Sequence, residues 1–207
     1  MSQPCDRAPF AVVPAAGLSR RMGQPKLTLP LGRQTVIEHV IAALHEGGFQ
    51  SVVTVAPAQD QLASLAQQAG ALVLELPEPT SHMRETVQFT LDYLYRRFNC
   101  PSESFWLLVP ADHPCIDSEL IRSLRNELAT QPELSIAVPV YRGRRGHPTL
   151  IRWKHYSSLS DFDASLGLNL YLRQFPGETL EITVDNPDVL LDLDTPEDYL
   201  RLCDRFG

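Results

Sequence analysis

Between Phe10 and Lys26 an apolar run, Phe-Ala-Val-Val-Pro, feeds a stretch of small and cationic residues: Ala15, Ala16, Gly17, Ser19, Arg20, Arg21, Gly23 and Lys26. No Asp or Glu occurs from Ala8 to Thr35. Small residues after a buried strand let backbone N–H groups close on an anion. Arg21 and Lys26 are then placed to neutralise a triphosphate. The spacing sets this loop apart from two better-known phosphate binders. Gly17 and Gly23 stand six apart with Lys26 three further on, which is not Gly-x4-Gly-Lys-Ser/Thr. No Gly-x-Gly-x-x-Gly follows the strand either, which disfavours a nicotinamide-dependent oxidoreductase.

Further residues carry compatible chemistry. Asp112 ends the strand Phe-Trp-Leu-Leu-Val and precedes His113-Pro114. A carboxylate there suits Mg²⁺, which takes one or two carboxylates together with phosphates and waters. Asp192 and Asp194 flank Leu193 ahead of a helix start, and one of them is a candidate second metal ligand. Their plainer use is to favour the positive end of that helix. Arg145 and His147 belong to the turn Tyr141–Pro148, where glycines and a proline would hold a basic rim fit for the phosphate monoester of an acceptor. The competing reading is a basic surface hairpin. Ser81 and His82 begin a long helix and can reach a nucleotide from its first turn, whereas Met83 reads as core. His39, His45 and His155 show no partners in the sequence and receive no chemistry. Nothing resembles a Ser-His-Asp or Cys-His arrangement, so no covalent intermediate is expected.

The elements that must position these groups alternate. Strands are expected at Phe10–Pro14, Ser51–Ala56, Ala71–Leu76, Phe105–Val109, Leu134–Val140, Thr149–Trp153, Thr179–Val184 and Val189–Leu191. Helices are expected at 34–46, Gln59–Gln68, from Met83 to Phe98 and after Asp117, with a last one opened by Thr195 as N-cap and Pro196 at its first position. Repeated β-α units with apolar strands imply an α/β fold: three layers, with a mainly parallel Rossmann-like sheet covered by helices on both faces. Ligands of such sheets sit beyond the carboxyl ends of the strands. The loops after residues 14, 56, 76 and 110 should therefore line one mouth.

A chain of 207 residues suits a single domain, 1–207. The net charge of −7 argues against nucleic acid as a partner. Yet nine of the eighteen Lys and Arg fall in two acid-free segments, 8–35 and 134–160. That pattern predicts positive charge focused on small polyanions. Cys5, Cys100, Cys115 and Cys203 are widely spaced, with neither zinc nor disulfide patterning. No apolar span reaches the ~18 residues of a membrane helix, and no leader is evident, so a cytoplasmic protein is expected.

The loop Ala-Ala-Gly-x-Ser-x-Arg-Met-Gly-x-x-Lys resembles the signature of the molybdenum cofactor cytidylyltransferase-like nucleotidyltransferases. Pro14-Ala15-Ala16-Gly17 sits on the cytidylyl side, where the guanylyl relatives more often read Leu-Ala-Gly-Gly. Asp112-His113-Pro114, Gly143-x-x-Gly146-His147-Pro148 and Asp192-x-Asp194-Thr195-Pro196-Glu197-Asp198 resemble later motifs, so the likeness spans nearly the whole chain. It implies a nucleotide-diphospho-sugar transferase-like fold and Mg²⁺-dependent transfer of CMP from CTP to the phosphate of molybdopterin. In that reading Ala15, Ala16, Gly17, Ser19, Arg21, Lys26, Ser81 and His82 bind nucleotide. Arg21, Lys26 and Asp112 are catalytic, and the product passes to a molybdenum hydroxylase-type client. Two departures stand out: His82 and Thr86 replace a glycine and a serine, and Ser165–Asn169 lacks an arginine. They leave open a guanylyl- or sugar-phosphate transferase, or a non-catalytic nucleotide- or cofactor-binding delivery protein.

Overall fold

The computed structural model describes residues 9–17, 19, 21–163 and 166–207, so Cys5, Arg20 and Ser165 lie outside the described residues. In chain order the strands are β1 Phe10–Pro14, β2 Pro30–Leu31, β3 Gln34–Thr35, β4 Gln50–Val55, β5 Leu72–Glu75, β6 Phe105–Leu108, β7 Ile136–Tyr141, β8 Arg144–Arg145, β9 Thr149–Arg152 and β10 Thr179–Thr183. The helices are α1 Val36–Glu46, α2 Asp60–Gln68, α3 Met83–Phe98, α4 Ser118–Ala129, α5 His155–Asp161, α6 Leu168–Leu172 and α7 Pro196–Phe206. The main sheet runs β10-β7-β9-β6-β1-β4-β5, with β8 added to β7. Neighbours are parallel except around β9, which is antiparallel to both β6 and β7, and along the β7–β8 hairpin.

Alternation within the strands divides the core. Ala11, Val13, Val53 and Val55 face the layer of α1, α2, α4 and α7. Phe10, Val12 and Val52 face α3, α5 and α6. The expected three-layer α/β architecture is therefore observed. α1 starts at Val36 and not at Gln34, which with Thr35 forms β3, and it opens with a capping box in which the Glu38 carboxylate accepts from Thr35 N at 2.7 Å. Asp117 and Thr195 cap α4 and α7 as expected. No helix among the described residues is long and apolar enough to cross a membrane.

Topology fixes where a ligand goes. From β1 the chain steps outward to β4 and β5, then returns to place β6 on the other side of β1. The carboxyl ends of β1 and β6 thus flank the reversal of strand order, which opens a crevice.

Several expectations need correction. Val189–Leu191 is no strand: Pro187–Leu190 forms a 3-10 turn, opened by Asn186 accepting from Asp188 N. Met83 is not core but 43% exposed. His39, His45 and His155 do have partners, at the Leu31 carbonyl, the Ser51 hydroxyl, and the Ser135 and Tyr171 hydroxyls respectively. The second acid-free segment is not one focused patch. Arg152 is buried under Phe105 and donates to the carbonyls of Leu134, Glu103 and Leu128 at 2.8–3.0 Å, while Lys154 pairs with Glu178.

Those two cations should differ sharply on removal. Arg152→Met leaves one buried and two part-buried carbonyls without this donor and should cost about 3 kcal/mol, on the order of 10 °C in melting temperature. Lys154→Met breaks a solvent-screened pair and should cost less than about 1 kcal/mol. Thermal denaturation of the two variants decides it; equal losses would contradict the assigned roles.

Candidate active site

β1 ends at Pro14, and Ala15 N still donates to Thr54 O at 2.9 Å, so the chain leaves the sheet only at Ala16. The loop that follows turns at Ser19 and Gly23, both with positive φ, and closes when the Ser19 hydroxyl accepts from Lys26 N at 3.3 Å. Among the described residues outside its chain neighbours, nothing lies within 4 Å of where a Cβ on Gly17 would stand, so its backbone is open to a ligand. Lys26 then begins a short 3-10 turn that directs its side chain back across the mouth.

Lys26 Nζ lies 2.6 Å from Asp112 Oδ2 and 2.8 Å from Asp194 Oδ1. Arg21 reaches the other oxygen of Asp194 at 2.7 Å while remaining 73% exposed. Asp112 sits just past β6, and its carbonyl accepts from Leu193 N at 2.9 Å, tying the 192–194 segment to the mouth. Asp194 is held in turn by the α7 start, where Asp198 accepts from the backbone N–H groups of Asp194 and Thr195. Burial pulls the Lys26 ammonium down, but Asp112 and then Asp194 outweigh it and hold it above its ordinary 10.5.

A cavity of about 370 Å³ opens over this cluster. Its walls are Ala15, Ala16, Gly17, Ser19 and Arg21 on one side, and Thr80–Met83 with Thr86 at the head of α3 on the other. The loops after residues 14, 76 and 110 therefore share one mouth. The loop after 56 borders a neighbouring cavity of about 500 Å³, on the far side of Gly17 and Ser19. Of the residues singled out from the sequence, the nucleotide set, Asp112 and Asp194 line the central cavity. Asp192 does not, although its charge reaches His113. Arg145 and His147 line a third cavity, where Arg145 is paired with Glu181 at 2.7 Å.

His113, next to Asp112 of the central cavity, meets His147 of the third cavity edge to face with ring centres 4.9 Å apart. Burial, and then His113, push His147 down to about 3. Burial likewise lowers His113 against the pull of Asp112. Both rings are therefore neutral near pH 7. Gly146 is obligatory behind them, because a Cβ there would meet the Val189 carbonyl oxygen at 2.3 Å. The exposed Met83 and Thr80, whose hydroxyl bonds that of Thr86 at 2.9 Å, were not read as cavity residues from the sequence. The Pro-Thr-Ser run just ahead of the helix was the available signal.

Chemically, two carboxylates converge on one point beside two cations and an open backbone turn. The donors are hard oxygens, which suit Mg²⁺ or Mn²⁺ rather than a soft metal. Among the described residues no group of three His, Cys, Asp or Glu converges for a metal. An ion here would accordingly draw its remaining ligands from phosphates and water, the usual manner of Mg²⁺.

A mostly parallel sheet whose strand-order reversal carries a cationic small-residue loop and facing carboxylates is the arrangement expected of an α/β enzyme that handles phosphorylated ligands. The chain belongs to the MobA-like NTP transferase domain family, whose profile matches residues 11–179. It is a nucleotidyltransferase of the MobA-like kind. It is similar to the molybdenum cofactor cytidylyltransferase of Escherichia coli K12, 24% identical over 94% of this chain and 95% of that protein. A probable molybdenum cofactor guanylyltransferase of Bacillus mycoides is 22% identical over 92% and 93%. Among solved structures, Rv0371c of Mycobacterium tuberculosis superposes with a TM-score of 0.78 at 25% identity, covering 95% of this chain and 98% of that one. A manganese complex of the same protein superposes at 0.72, with 24% identity over 94% and 97%. These neighbours bear out the nucleotide-diphospho-sugar transferase fold.

Removal of the shared cation gives a pH signature. Lys26 contributes its stability fully below about pH 10.5, so the native protein gains nothing from Lys26 on mild acidification. In Lys26→Met that contribution is missing, so the variant should be less stable than the native protein near pH 7, and the deficit should narrow as pH rises above about 10.5. Urea unfolding of both proteins at about pH 8 and about pH 11 checks the sign; a deficit that widens with rising pH would contradict it.

Proposed function

We propose that the protein transfers CMP from CTP to the phosphate of molybdopterin, releasing pyrophosphate, with Mg²⁺ as the metal. The observation that carries this reading is Lys26 Nζ shared by Asp112 and Asp194 beneath the loop of Ala15–Gly17. The backbone of Ala15–Gly17 and Ser19 cradles the β- and γ-phosphates. Arg21 and Lys26 neutralise charge on the α-phosphate and the leaving group. Asp112 with Asp194 would hold the metal, Asp192 being the less favoured partner because it lies outside the cavity. A bound Mg²⁺ would supply charge neutralisation and fix the orientation of the phosphates. Ser81 and His82 face the base or ribose, and His147 with Arg145 faces the acceptor, whose phosphate oxygen attacks the α-phosphorus in line.

Such a transfer asks the protein for positioning and charge more than for proton transfer. The neutral His113–His147 pair accords with that, since neither ring carries a charge to compete with the metal. CTP is favoured over GTP by the near full-length likeness to the cytidylyltransferase and by Ala15-Ala16-Gly17. The guanylyltransferase relative keeps GTP as the second reading.

Thermal-shift titration with CTP, GTP, ATP and UTP, with and without Mg²⁺, should show the largest Mg²⁺-dependent shift for CTP, because a ligand stabilises by mass action. A larger shift for GTP would select the second reading. Lys26→Ala should lower turnover on the order of 10²–10³-fold, the scale for losing one preorganised charge-stabilising donor. Unchanged steady-state turnover would refute the role.

A further inference from the structure

The cavity beyond His147 holds about 490 Å³ and is lined by Arg144, Arg145, Arg173 and Asn169 together with Glu181. Three arginines and one carboxylate line it, a surplus of two positive charges on a chain whose net charge is −7. Arg145 is engaged by Glu181, whereas Arg144 and Arg173 have no ion-pair partner among the described residues. Unspent cations concentrated in a concave site attract a dianion.

The cations sit on fixed supports. Arg142 and Gly143 both take positive φ, the two-residue turn that suits the right-handed twist of a hairpin and pins Arg144 opposite Tyr141. Asn169 and Arg173 lie one helical turn apart at α6, so they share a face. α6 is locked from below by Tyr171, whose hydroxyl meets His155 Nδ1 at 2.9 Å. Its leading segment is clamped to α3: the buried Arg84 donates to the carbonyls of Leu159 at 2.8 Å and Leu166 at 3.3 Å, and also to those of Phe162 and Asp163. α3 opens with the residues that line the central cavity. The two cavities are thus held in fixed relation, with the His113–His147 contact between them.

We propose that this cavity is an anion subsite for the non-reacting end of the acceptor, and that Arg173 and Arg144 are its specificity-determining cations. The assignment to an acceptor rests on the proposed transferase reading; the anion site itself does not. It selects acceptors that carry a second anionic group besides the phosphate that is attacked. Binding energy gathered on that remote group positions the reacting phosphate.

The probe is tungstate, a heavy tetrahedral dianion, soaked into crystals of the full chain with the central cavity filled by CTP. Anomalous scattering should place it between Arg144 and Arg173, and the peak should vanish in Arg173→Gln. No peak in this cavity, a peak at lattice contacts only, or a peak that survives in Arg173→Gln would overturn the site. In turnover with molybdopterin, Arg173→Gln should raise the acceptor KM about tenfold, the scale for one lost charge-assisted hydrogen bond. The CTP KM should stay unchanged, with Arg173→Lys recovering much of the loss. An unchanged acceptor KM overturns the specificity role. If the native protein does not turn over molybdopterin, that acceptor assignment falls and the tungstate result alone judges the anion site.

Discussion

Everything at the mouth of this sheet depends on one ammonium group held between two carboxylates. Lys26, Asp112 and Asp194 come from segments 86 and 168 residues apart in the chain, yet their charged atoms meet within 2.8 Å. No local propensity produces such a meeting. It follows from β6 lying beside β1 at the reversal of strand order, and from Leu193 bonding back to Asp112. Each carboxylate is 22–23% exposed and Lys26 14%, so the interaction is partly shielded from water and stronger than a surface pair.

Much of this was legible because the sequence patterns are local and redundant. The β1 loop declares itself by small residues, cations and missing acids within one short window. Apolar strands separated by periodic helices announce the α/β sheet, and Thr195-Pro196 announces the final cap. The long-range fact, that Lys26 and Asp112 share a cavity, was recoverable only through the rule that ligands gather where parallel strands end.

What was not legible turned on tertiary surroundings. Val189–Leu191 is apolar enough for a strand, but Pro187 and the Asn186 cap bend it into a 3-10 turn, and three residues carry too little periodicity to decide. Arg152 reads as one more cation in a basic segment, yet the converging carbonyls of Leu134, Glu103 and Leu128 draw it inside. Met83 has a core side chain in type but sits at the first turn of α3, where the helix meets the cavity instead of the sheet. Arg173 drew no notice because its meaning depends on the β7–β8 hairpin folding opposite it.

The most direct test is a crystal structure of the protein with CTP and Mn²⁺, the metal located by its anomalous signal. Mn²⁺ should then lie on carboxylate oxygens of Asp112 and Asp194, with the triphosphate along Ala15–Gly17 and Lys26. A nucleotide bound instead on the far side of the loop, against Gln59–Leu62 of the neighbouring cavity, with Mn²⁺ away from both carboxylates, would contradict it.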